Sequence, residues 1–146
     1  MLVLILLLTS KMKFLVILFS LTVLAWAQEV PECDCGAFIT EAAEEEEVFP
    51  MEAFDVKNCE DQKDCHDRCR TEWDEITNEG DLNFELPDGK TVGQSMCDDL
   101  AEEGKDVVGP TEVFLYVRLC DGPWEDDGEA TMEMLCCDAG QHEPCE

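Results

Sequence analysis

The chain has 146 residues, ten of them cysteine, and sets 36 acidic residues against nine basic ones for a net charge of −27. So anionic a surface excludes nucleic acid and anionic membranes as partners and favours basic proteins, basic matrix and weakly held divalent cations. It equally suits a self-repelling shell whose only task is to keep the protein soluble.

In chain order, the first signal begins at Met12 rather than at Met1. Lys13 supplies a positive end, Phe14 to Trp26 an apolar run, and Ala25-Trp26-Ala27 a small-x-small cleavage pattern. The expectation is a secretory signal region over residues 1–27, initiated at Met12, with the mature chain starting at Gln28. Lys11 and Lys13 separate the upstream run Leu2 to Leu8 from the second one, so neither reaches the roughly 20 residues that a membrane span needs. Without Lys11 and Lys13, seven basic residues face 36 acidic ones, a balance of −29.

Composition then divides the mature part into an N-terminal segment, 28–55, and a cysteine-rich domain, 56–146. In the first, "CDCGAFIT" alternates like a short strand, and the acidic run Glu41 to Glu47 reads as an exposed helix or a disordered linker. From Glu60 to Ile76 the pattern is helical, with Cys65, Cys69, Trp73 and Ile76 on one face. "GDLNFELPDG" reads as a short strand or extended loop ending in a turn. Thr91 is placed to cap a second helix that carries Val92, Met96 and Leu100 on one face and stops at Gly104. "TEVFLYVRLC" is apolar on both faces and rich in β-branched and aromatic residues, which marks a buried strand. "DGPWEDDGEA" reads as a turn-rich connection, and "TMEMLCC" as the antiparallel partner of the buried strand. The expected fold is α+β: a small disulfide-rich domain with two helices packed on an antiparallel, hairpin-based sheet.

The cysteines are Cys33, Cys35, Cys59, Cys65, Cys69, Cys97, Cys120, Cys136, Cys137 and Cys145. In an oxidising compartment this even count implies five bridges. At about 2 to 4 kcal/mol each, they could match the net stability of a whole domain, so the apolar core can be small. Cys65 and Cys69 stand one helical turn apart, and Cys33 and Cys35 share one strand face, at nearly equal spacings of about 5 to 7 Å. Two parallel bridges from strand to helix would fit them, although ten cysteines leave many other connectivities open. Cys136 and Cys137 point to opposite faces of a strand and so require different partners.

No constellation carries catalytic chemistry. Zinc would have to use "CDC" and "CHDRC", which lack the C-x₂-C spacing of structural zinc sites and lie where thiols oxidise. "HDRC" with "CDCG" resembles secreted phospholipase A2, but the pattern breaks at Gln62-Lys63 and at Ala37-Phe38, so His66 reads as an exposed helix residue. "DEITNEGDLNFE" fits a calcium-binding EF-hand loop in neither register: Glu79 takes the place of the required glycine in one, Leu86 that of the bidentate glutamate in the other. Ser95, His66 and His142 sit in no nucleophile motif. The expectation is a protein that is not an enzyme and has no cofactor.

"CDCGAF", "NCEDQKDCHDRC", Cys97, "LYVRLCDGPW" and "LCC" together resemble the follicle cell protein 3C family of small secreted arthropod proteins. The resemblance spans Cys33 to Cys137 and implies a secreted eggshell or extracellular-matrix component. The alternative expectation is a secreted defence or venom factor that meets a receptor or microbial target through an exposed aromatic such as Trp124.

Overall fold

A computed structural model describes residues 30–145; the leader expected over residues 1–27 lies outside the described residues. The order of elements is β1 (Glu32–Glu41), β2 (Glu44–Pro50), β3 (Phe54–Asp55), α1 (Gln62–Thr77), α2 (Val92–Glu102), β4 (Val108–Thr111), β5 (Val113–Leu119), β6 (Glu125–Ala130), β7 (Leu135–Asp138) and β8 (Gln141–His142). The main antiparallel sheet runs β2-β1-β5-β6, with β3 also paired to β1, and a smaller sheet runs β4-β7-β8. The protein is thus an α+β, disulfide-rich domain with both helices on antiparallel sheets. Because β1 lies between β2 and β5, segments 28–55 and 56–146 share one sheet, and the expected division does not separate two structural units.

Alternation along β1 sorts the two faces of the main sheet. Cys33, Cys35, Ala37 and Ile39 are buried and face the helices, joined from β5 by Val113, Leu115 and Val117. Against them α1 sets Cys65, Cys69 and Trp73, and α2 sets Val92, Met96 and Leu100. The caps follow from the sequence. Thr91 accepts a hydrogen bond from the Gln94 amide at 3.1 Å, and Asn78 ends α1 in the left-handed conformation with φ 51°. Gly80, at φ +88°, then brings the chain against β6, where a Cβ would stand 2.8 Å from the Ala130 carbonyl oxygen. Only glycine satisfies both conditions.

Two expectations are corrected. Glu41 to Glu47 is neither helix nor linker: after a turn at Ala42 and Ala43, both at positive φ, Glu44–Pro50 returns as an edge strand on β1. This register delivers Val48 and Phe49 to the core, while Tyr116 donates a hydrogen bond to Glu45 and Lys105 pairs with Glu46. Likewise the partner of β5 is not "TMEMLCC" but β6, within the segment read as a turn-rich connection. Leu135 and Cys137 pair instead with β4 in the smaller sheet, held by the bridge to α2. Around Leu82, Phe84 and Leu86 the chain is an extended loop with a single bridge, Glu85 to Thr91.

Candidate functional site

All ten cysteines are bridged. Cys33 joins Cys65 and Cys35 joins Cys69, with Cα separations of 5.7 and 5.6 Å, so strand and helix run side by side where their spacings match. Cys59–Cys120 ties the approach to α1 to the end of β5, Cys97–Cys137 ties α2 to β7, and Cys136–Cys145 closes the C-terminal loop. Cys136 and Cys137 thus reach different partners. The sulfurs of Cys33, Cys35 and Cys69 lie within 4.8 Å of one another, but disulfide bonding leaves no thiolate among them to ligate zinc.

With the helices stapled to one face, the other face of the main sheet carries its own cluster, in which Phe38 and Tyr116 are buried under their neighbours. Its side chains are the alternate residues of the same strands: Asp34 and Phe38 from β1, Glu45 and Glu47 from β2, Phe114, Tyr116 and Arg118 from β5. Phe38 is central, its ring centroid 4.9 Å from those of both Tyr116 and Trp124. Arg118 lies over the Trp124 ring at 4.7 Å and donates to Asp34 at 2.9 Å, its cross-strand neighbour. Trp124 is therefore half-buried in a stack rather than a free exposed aromatic. Gly36 leaves room for the Glu47 carboxylate, whose Oε1 would lie 2.5 Å from a Cβ there.

Electrostatics on this face are set by carboxylates packed beside rings. Burial raises the Glu47 carboxyl above its ordinary range, partly offset by Arg118. Burial and the hydrogen bond to Glu45 push the Tyr116 phenol up to about 12. Asp126, opposite Tyr116, adds a further negative charge. Arg118 is the one basic side chain among these residues. The face is an aromatic cluster rimmed by acid: the Phe38 and Tyr116 rings are buried and Arg118 already covers Trp124, so what it offers to a cation is the exposed carboxylates of Glu45 and Glu47.

A second acidic cluster lies where α2 ends. Lys105 pairs with both Glu46 and Glu41, so the cluster already contains its cation. A hydrogen bond to Glu46 raises the Glu103 carboxyl.

The two histidines occupy different settings. His142, on β8, packs its ring on α2 where Gly93 has no side chain; a Cβ there would lie 2.6 Å from the ring. Burial lowers the His142 pKa below 6.5. The folded protein then binds fewer protons than the unfolded one, so this contribution to stability is complete above about pH 6.5 and is lost as pH falls below it. We expect the unfolding midpoint of the native chain, less that of His142→Asn, to decrease between pH 7 and pH 5.5. A difference that is flat or rises on acidification would refute this assignment.

His66 is not the exposed helix residue expected. Its side chain is 22% exposed and its Nδ1 pairs with Asp127 of β6, whose side chain is fully buried. Arg70, one turn further along α1, holds the same carboxylate through Nε at 2.5 Å and donates to the Asp127 carbonyl oxygen at 2.9 Å. Sequence reasoning missed this node, and missed the outer platform as well. The signals available were the i, i+4 stripe Gln62, His66, Arg70 and the alternate residues of "CDCGAF" and "FLYVR".

Comparison with protein-family models, with curated proteins and with solved structures finds no match to this chain.

Proposed function

We propose that this is a secreted, non-enzymatic interaction or structural protein whose bridges hold the outer face of the main sheet as a rigid platform for basic partners. The observation that carries the reading is the platform itself: Asp34, Glu45 and Glu47 around the Phe38, Tyr116 and Trp124 rings, on a sheet stapled from behind by two bridges. Five bridges and the absence, among the described residues, of a helix able to cross a membrane are compatible with an extracellular product. The likeness of "CDCGAF" and "LYVRLCDGPW" to follicle cell protein 3C supports an eggshell or matrix setting, with basic matrix proteins as the partners. Such binding is electrostatic and led by the partner's charge.

An arginine-rich peptide is a suitable probe. Exposed charges are screened as the Debye length falls from about 10 Å at 0.1 M to about 3 Å at 1 M salt. Affinity for the peptide should therefore weaken at least about tenfold across that range, and Glu45→Gln with Glu47→Gln should weaken it further at low salt. The receptor-directed alternative rests on a desolvated aromatic hot spot. Binding that is insensitive to salt and lost in Trp124→Ala would replace the matrix reading with that one.

A further inference from the structure

We propose that the cleft between α1 and β6 is a binding site for one divalent transition-metal ion of the copper or zinc type. Its ligands are His66 Nε2, the Glu125 carboxylate and the Gln62 side-chain amide oxygen. This site uses neither the cysteines nor the outer platform, so it stands or falls independently of the reading above.

The sequence places the donors. Gln62 and His66 are one helical turn apart on α1 and share a face, and Glu125 opens β6 directly across from them. All three line one cleft of about 180 Å³, walled by Cys59, Pro123 and the apolar side chains Val117 and Leu119. The Cys59–Cys120 bridge fixes that wall.

The orientation of the imidazole is the strongest pointer. An ionised carboxylate can only accept hydrogen bonds, so Asp127, buried and held by Arg70, requires the proton on His66 Nδ1. In neutral His66 that leaves the Nε2 lone pair free, on the side of the ring nearer Glu125. A carboxylate that receives one ring N–H while the other ring nitrogen is left basic is the arrangement that supports metal-bound histidine.

The distances agree. His66 Nε2 and Glu125 Oε2 are 3.9 Å apart, too far for a hydrogen bond. Two donors on one tetrahedral ion, each at about 2.0 to 2.2 Å from it, lie roughly 3.3 Å from one another. A small rotation of Glu125, whose side chain is 49% exposed, closes the difference. The Gln62 amide already meets Glu125 Oε2. Turning that amide over presents its oxygen, which would repel the carboxylate unless a cation stood between them. The cluster at Glu41, Glu46 and Glu103 differs in kind, since it has no imidazole and holds Lys105.

The test uses the oxidised, chelator-stripped chain in 0.5 M salt, which screens diffuse binding by the acidic shell. Titration with Cu²⁺ followed by electron paramagnetic resonance, and with Zn²⁺ by calorimetry, should each give one ion per chain. The copper spectrum should show coupling to a single imidazole nitrogen. His66→Asn should abolish that coupling, whereas His142→Asn should leave it unchanged. Glu125→Gln should weaken binding at least about tenfold, and Asp127→Asn by about 10 to 100-fold through loss of the orienting carboxylate. Glu75→Gln, an exposed carboxylate elsewhere on α1, should have no effect. Coupling that follows His142, or unweakened binding in Glu125→Gln, would overturn the proposal. So would the finding of several weak ions per chain that are all displaced by salt. Should His66→Asn fail to fold, Glu125→Gln decides the matter alone, because its exposed side chain can be changed without opening the core.

Discussion

Replacing Cys35 and Cys69 together by alanine should lower the free energy of unfolding by about 4 kcal/mol: about 2 kcal/mol of loop-closure entropy, because the neighbouring Cys33–Cys65 bridge leaves only a short loop to close, and the remainder from lost packing. Both sulfurs are buried, Cys35 at 2% and Cys69 at 0% exposure, so their removal also leaves unfilled volume between β1 and α1. Opening Cys136–Cys145, which spans only nine residues, should cost about 3 kcal/mol by the same reasoning and leave the main sheet intact. Urea titrations of the native chain and both double variants provide the comparison. Equal or reversed losses would mean that the strand-to-helix staple does not hold the domain.

A comparable loss is expected from Trp73→Ala, about 3 to 5 kcal/mol. Among the described residues Trp73 is the largest fully buried side chain, 1% exposed, and it lies on the same face of α1 as the bridged Cys65 and Cys69. Few other aromatic side chains exist to fill the space, since cysteine and valine make up more than half of the buried cluster. Thermal unfolding of the oxidised variant measures the effect, and the loss of blue-shifted tryptophan emission should accompany it. A change below about 1 kcal/mol would show that the bridges, rather than ring burial, carry this part of the core.

These two positions were legible because their signals are local. The face Cys65, Cys69, Trp73 follows from 3.6-residue periodicity, and the match of an i, i+4 pair on a helix to an i, i+2 pair on a strand needs only two rises per residue. The cap at Thr91 and the buried run of β5 are readable for the same reason. What stayed hidden depends on distant partners. Glu44 to Glu47 looks like solvated charge until Tyr116 and Lys105, 71 and 59 residues away along the chain, are placed beside it. "EDDGEA" has little strand propensity and buries an aspartate. It becomes β6 because His66 and Arg70 of α1 satisfy that aspartate across 61 and 57 residues. The candidate platform was half-visible: its cysteine side was read, whereas the alternate residues of the same two strands went unread.

The position of β2 at the rim of the sheet has a further effect. Any rim strand presents unpaired amide and carbonyl groups on which a second copy could grow, the first step toward fibres. Here that template carries Glu44, Glu45, Glu46 and Glu47 in succession, so two copies meeting rim to rim would bring rows of like charge together. Edge-on growth is self-limiting at neutral pH, and crowded molecules remain separate until acid neutralises the rim.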